Sequence, residues 1–332
     1  MHDLAFPLLV GLIAVALAFD FLNGLHDAAN SIATVVATQL LSPVAAVVFA
    51  AAGNFAAYWI VGLHVAETVG SGIIDKDVVS PAVVFGALVG AMFWNVLTWL
   101  KGIPSSSSHA LIGGLLGAGI AASGFSAIQS SGTSKTIAAI FLSPMLGFAL
   151  AMILMLVTSI LFKGAHPRRA NGTFKFLHLM SSAAYSISHG GNDAQKTMGI
   201  IAVLLYSTGH LDGEFHVPHW VVLSCYVAIA LGTLSGGWRI IKTMGTGLTR
   251  LNHHSGFCAS TAGSIVVFGA SAMGIPVSTT HAITGSVVGS GAARRASAVR
   301  WGVASRVVIA WFITIPASAF VGALFYLLTR LF

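Results

Sequence analysis

A chain of 332 residues with 56% hydrophobic and only 8% charged side chains falls outside the soluble globular class, where about a quarter of residues carry charge. The surplus of 16 Lys+Arg over 9 Asp+Glu would suit a nucleic-acid binder in water, but a mean hydropathy of +0.89 leaves no such surface, so the charge reports membrane orientation. Two separated cysteines, Cys225 and Cys258, exclude a disulfide framework or a zinc site.

In chain order, apolar segments fall near 4–22, 40–66, 80–100, 109–122, 137–162, 178–206, 218–237, 257–273, 280–292 and 303–330. The first has no basic leader and no small-residue cleavage site, so it is expected to remain as a helix. At roughly 20 residues per crossing, with several segments shorter, an all-α polytopic protein of about 10–12 membrane segments is predicted. Glu67, Asp75 and Asp77 fill one linker, and Asp212 and Glu214 another. Lys163, Arg168, Arg169 and Lys175 fill the middle one, and Arg239, Lys242, Arg250, Arg294, Arg295, Arg300 and Arg306 the later ones. With basic linkers cytoplasmic, both termini lie outside, and the pairs 80–122 and 257–292 each enter and leave from one side as re-entrant hairpins.

An internal repeat sharpens this. Asn23-Gly24-Leu25-His26-Asp27-Ala28-Ala29-Asn30 returns half a chain later as His189-Gly190-Gly191-Asn192-Asp193-Ala194-Gln195-Lys196. Ile103-Pro104-Ser105-Ser106-Ser107-Ser108-His109 returns as Ile275-Pro276-Val277-Ser278-Thr279-Thr280-His281 at nearly the same separation. The predicted organisation is a first repeat over 1–162, a short basic cytoplasmic linker over 163–177 and a second repeat over 178–332, of inverted topology with broken helices, the layout of secondary transporters.

Asp27 and Asp193 lie in apolar segments, where a carboxylate needs a partner or a function. Flanked by Asn, Gly and small residues, they suit a hard cation such as Na⁺, and no other metal or cofactor is expected. In each hydroxyl segment, Pro ends one helix and Ser or Thr caps the next. Two such N-termini, with free N–H groups and positive dipole ends, make an anion site in the bilayer. His109 and His281 begin these outgoing helices and are equally packed histidines or proton and gating contacts. Lys196 pairs with Asp193 three residues earlier, or stands where a transported cation sits beside its counterpart Asn30. Asp20, one heptad before Asp27, is a second cation ligand or a gate.

The two octads resemble the duplicated G-A-N-D-V-A-N-type signature of the inorganic phosphate transporter (PiT) family, in a compact bacterial-type form. The first copy departs from it with Leu25-His26, where His26 can handle a proton. The resemblance implies an inverted-repeat fold, symport of phosphate with Na⁺ or H⁺ or as a metal–phosphate complex, and a homodimer in the cell membrane. By position it implies Asn23, Asp27, Asn30, Asn192 and Asp193 on the cation side. On the phosphate side it implies Ser105, Ser106, Ser107, Ser108, Ser278, Thr279 and Thr280. A permease for sulfate or another oxyanion is the alternative. An intramembrane hydrolase has against it the absence of a G-x-S-x-G elbow, and a passive channel is the remaining reading. No enzyme activity and no nucleic-acid partner are expected.

Overall fold

A computed structural model of the chain describes residues 6–211 and 214–331, so the expectation for Asp212 lies outside the described residues. The first half folds as α1 (Phe6–Ala37), α2 (Pro43–Ile60), α3 (His64–Gly72), α4 (Pro81–Lys101), α5 (Ser107–Ser123) and α6 (Ser130–Leu161). The second folds as α7 (Pro167–Ser207), α8 (His219–Ser235), α9 (Trp238–Lys242), α10 (His253–Ala272), α11 (Thr279–Arg294) and α12 (Trp301–Leu328). Every apolar segment read from the sequence coincides with one of these helices. Among the described residues, seven helical segments, α5 counted with the 3-10 turn that follows it to Ala127, are long and apolar enough to cross a membrane, and up to eight if α8 and the α9 segment, bent by 65°, count as one span. α8 and α11 are shorter, and α7 carries too many polar side chains to match the others in hydropathy. The chain is an integral membrane protein.

Helix boundaries follow local chemistry. Ser42 and Ser80 cap α2 and α4 by accepting from Ala45 N and Val83 N, each ahead of a proline at the first helical position. Asn252 and Ser255 form a reciprocal capping box on α10. α4 ends on Gly102 in the left-handed conformation, φ 64°. The two aspartate octads are not helix breaks: α1 and α7 run through them without interruption. The breaks lie instead at the hairpin tips, residues 102–106 and 273–278, and between α8 and α9. The stretch 163–177 is helical from Pro167 onward.

The hairpins α4–α5 and α10–α11 are closed at their bases by isolated β-bridges, Ile74 with Ile128 and Thr249 with Val299. The ends of each hairpin therefore leave from one side. The bridges sit at opposite ends of the bundle. Gly245, just before the second bridge, packs on Ala33 and Ala37 at the end of α1, while Gly274, at the tip of the second hairpin, packs on His64 and Thr68 beside the first. Arg239, Lys242, Arg250, Arg294 and Arg295 cluster at one end, and Glu67, Asp75 and Asp77, with Lys76 and Lys135, at the other. α5 packs between α4 and α12, and α11 between α10 and α6, so each hairpin is closed by the last helix of the other half.

Two glycines set the distance between the octad helices and their neighbours. A Cβ on Gly24 of α1 would fall on the Ile229 carbonyl of α8, and one on Gly190 of α7 would lie 2.5 Å from the Cα of Asn54 on α2. Backbone meets backbone at both points, which only glycine permits. Gly24→Ala should destabilise the protein by about 1–3 kcal/mol through overpacking, read as a lowered thermal midpoint in detergent. Gly11→Ala, where a Cβ meets nothing within 4 Å, should leave the midpoint unmoved. Single cysteines at positions 75 and 169 in a Cys225/Cys258-free background should react with an impermeant reagent from opposite faces of the membrane.

Candidate functional site

Asp20, Asn23, His26, Asp27 and Asn30 on α1, and His189, Asn192, Asp193 and Lys196 on α7, are all at most 2% exposed. α1 and α7 pack against each other, and ligand atoms of Asp27, Asp193 and His189 all lie within 4.8 Å of one another. Two carboxylates from opposite halves of the sequence thus share one buried spot, together with an imidazole.

The hydroxyl segments arrive at the same place from the other side. Ser106 and Ser278 cap α5 and α11 by accepting from the backbone N–H of His109 and His281. The next hydroxyl in each copy donates to the carboxylate of its own half, Ser107 to Asp27 at 2.8 Å and Thr279 to Asp193 at 3.0 Å. The one after reaches across the halves: Asn30 Nδ2 donates to Thr280 at 2.9 Å, and Lys196 Nζ donates to Ser108. A further matched pair joins the octads to the incoming helices, His26 with Thr98 at 3.0 Å and Asn192 with Ser271 at 2.8 Å. These matched positions play the same roles in both copies.

The exceptions to that symmetry carry the charge. Lys196 stands in the role of Asn30, its ammonium 2.5 Å from Asp193 Oδ1 and 2.9 Å from the Val277 carbonyl. His26 stands in the role of Asn192, with Nδ1 2.6 Å from Asp27 Oδ1. Each carboxylate thereby has one basic neighbour from its own helix. His189 adds a third basic group, Nε2 lying 3.3 Å from Asp193 Oδ2 without hydrogen-bond alignment, while Nδ1 pairs with Asn54 Oδ1 at 3.1 Å.

Not every expected residue is gathered here. Ser105 donates to Thr98 and takes no part at the helix N-terminus. Asn23 stands beside Asp20 and has no hydrogen bond to Asp27. His109 and His281 meet each other edge to face with ring centroids 4.3 Å apart, and His281 stacks on Trp311 at 3.7 Å. His281 also answers a local backbone need, since Pro144 in α6 cannot bond the Ile140 carbonyl and His281 Nδ1 sits 3.4 Å from that oxygen. Three residues outside the expected set belong to the site: His189, Thr98 and Tyr185, whose hydroxyl donates to the Thr279 carbonyl at 2.9 Å. His189 was visible as the octad counterpart of Asn23. Thr98 and Tyr185 carry no motif.

Two positive helix ends, four hydroxyls beside two carboxylates and a buried ammonium can hold a tetrahedral oxyanion and a hard cation side by side. Comparison with known proteins agrees with the oxyanion part of this reading. The model of the phosphate transporter family matches residues 23–322. A protein of Rhizobium meliloti (strain 1021) called "Probable low-affinity inorganic phosphate transporter" is 62% identical over 323 residues, covering 97% of each chain. A Bacillus subtilis (strain 168) protein of the same name is 42% identical over 99% of each. A solved structure described as "The sodium-dependent phosphate transporter" superposes with a TM-score of 0.91 over 98% of this chain and 100% of that one, at 24% identity, a likeness of fold alone.

Lys196→Met should cost about 3–5 kcal/mol, because it strands the Asp193 carboxylate in a low-dielectric interior. The thermal midpoint should fall accordingly, and the double variant Asp193→Asn/Lys196→Met should recover most of the loss. An undiminished midpoint in the single variant would show that the pair does not hold the structure.

Proposed function

The chain belongs to the phosphate transporter family, and on that premise we propose that it is a secondary active symporter, moving inorganic phosphate with a coupled cation by alternating access between two inverted repeats. Phosphate transport is the family's activity, and its members are transporters rather than enzymes. The observation that carries symport is the charge balance of the buried site. Asp27 and Asp193 share it, with Asp20 close by, and Lys196 is the one permanent cation among the buried side chains at the octads. Asp27 and Asp193 outnumber Lys196, and an incoming phosphate adds further negative charge. Charge of one sign cannot accumulate inside a bilayer at tolerable cost. A cation must therefore enter with the anion, which is what couples the two bindings.

Oxygen ligands around Asp27 and Asp193 support Na⁺ as that cation. The contact of His26 with Asp27 supports a proton in its place. Ser107, Ser108, Thr279 and Thr280, with the free N–H groups of α5 and α11, form the phosphate side, and the carboxylates accept the hydrogen that phosphate keeps at neutral pH and sulfate lacks. The basic end faces the cytoplasm with both termini outside, in the cell membrane, as a homodimer.

Uptake into proteoliposomes driven only by a cation gradient tests the reading. The unmodified protein should concentrate phosphate, with arsenate competing well and sulfate weakly. Asp27→Asn and Asp193→Asn should each abolish accumulation while remaining folded and inserted, and imposing the Na⁺ and pH gradients separately identifies the ion. Full accumulation by either variant would sink the proposal.

A further inference from the structure

Two helical turns before Asp27 on α1, the carboxylate of Asp20 is fully buried, and neither of its oxygens has a hydrogen-bond partner. Its surroundings are unusual in the same way. Asn23 on α1 and Thr197 on α7 stand beside it, and Cys225 and Tyr226 of α8 border it. The Asn23 Oδ1, Thr197 Oγ1 and Tyr226 hydroxyl atoms are all buried and all without partners. Thr197 and Asn23 stand close enough to interact with the carboxylate without meeting hydrogen-bond geometry, so its oxygens remain open to a further partner.

No basic side chain forms an ion pair or hydrogen bond with Asp20, although the charge of Lys196 reaches it. Lys196, next to Thr197, is engaged by Asp193, Ser108 and the Val277 carbonyl. The other half offers no equivalent either. The position matching Asp20 is Ser186, whose hydroxyl is spent on the Ser182 carbonyl. A buried carboxylate without an ion-pair partner, with neutral amide and hydroxyl oxygens beside it, is a ligand set for a hard monovalent cation.

We propose that Asp20, Asn23 and Thr197, with the Tyr226 hydroxyl, form a second Na⁺ site, separate from the Asp27–Asp193 pair and built on α1, α7 and α8. The proposal rests on the symport reading and deepens it. It assigns a cation that is bound without touching phosphate, and it moves Asn23 from the central pair to this site.

Equilibrium binding of ²²Na⁺ to purified protein in detergent without phosphate, with choline as the replacing cation, tests it. Asp20→Asn should bind one Na⁺ fewer per chain than the unmodified protein, and Asp27→Asn should keep the Asp20 ion. Thr197→Val, a milder change that retains the carboxylate, should raise the half-saturating Na⁺ concentration of this site at least tenfold, which guards against misfolding of the first variant. Unaltered Na⁺ binding in both Asp20→Asn and Thr197→Val would overturn the proposal, as would an unmodified protein that binds no Na⁺ and holds Asp20 as a neutral acid. Full phosphate accumulation by Asp27→Asn would instead remove the symport reading, whatever the sodium count.

Discussion

A carboxylate buried among helices must be neutralised or hydrogen-bonded, and the architecture around Asp27 and Asp193 is organised by that requirement. Each aspartate takes a hydroxyl from the helix N-terminus of its own half and a basic group from its own helix. Those bonds need α1, α5, α7 and α11 to meet at one depth. Gly24 and Gly190 bring α8 and α2 up against the octad helices, and the capped hairpin tips bring α5 and α11 in from either end. Polar chemistry and close packing therefore specify the same point. Water supplies neither, so the protein must.

Much of this is legible in the sequence because the repeat is legible. Matching octads and matching hydroxyl segments identify which positions correspond, and a role that is filled twice is hard to attribute to accident. The substitution of Lys196 for Asn30 could be read as a cation fixed in one half, and the two residues do occupy equivalent positions against Ser108 and Thr280. Segment lengths and charge placement likewise located the helices, the hairpins and the two differently charged ends.

What escaped the sequence is which neighbour a side chain faces. Asn23 lies one turn from Asp27 and nearly one turn from Asp20, and helical spacing alone does not choose between them; the packing of α7 and α8 does. Ser105 and Ser106 read like Ser107 and Ser108, yet one bonds Thr98 and the other is a cap. A run of four serines gives no sign of where extended chain becomes helix. His281 reads equally as a packed histidine or a proton and gating contact, and its ring nitrogen lies against a carbonyl left free by Pro144 on α6, a relation between distant segments that no local pattern encodes. The octads stay helical because side-chain hydroxyls meet the aspartates there, so the backbone has no need to unwind.

The exchange of closing helices, α6 onto the hairpin of the second half and α12 onto that of the first, bears on the ancestry of the chain. One half alone would expose the flank of its hairpin to lipid and leave a hydroxyl of its hairpin tip, Ser108 or Thr280, without the donor that the other half supplies. Two copies of a half-length ancestor inserted in opposite senses would each have supplied the helix that the other lacked. On this geometry a half-length chain is complete only as an antiparallel pair, and joining the two halves lets a lysine and a histidine each occupy one side only.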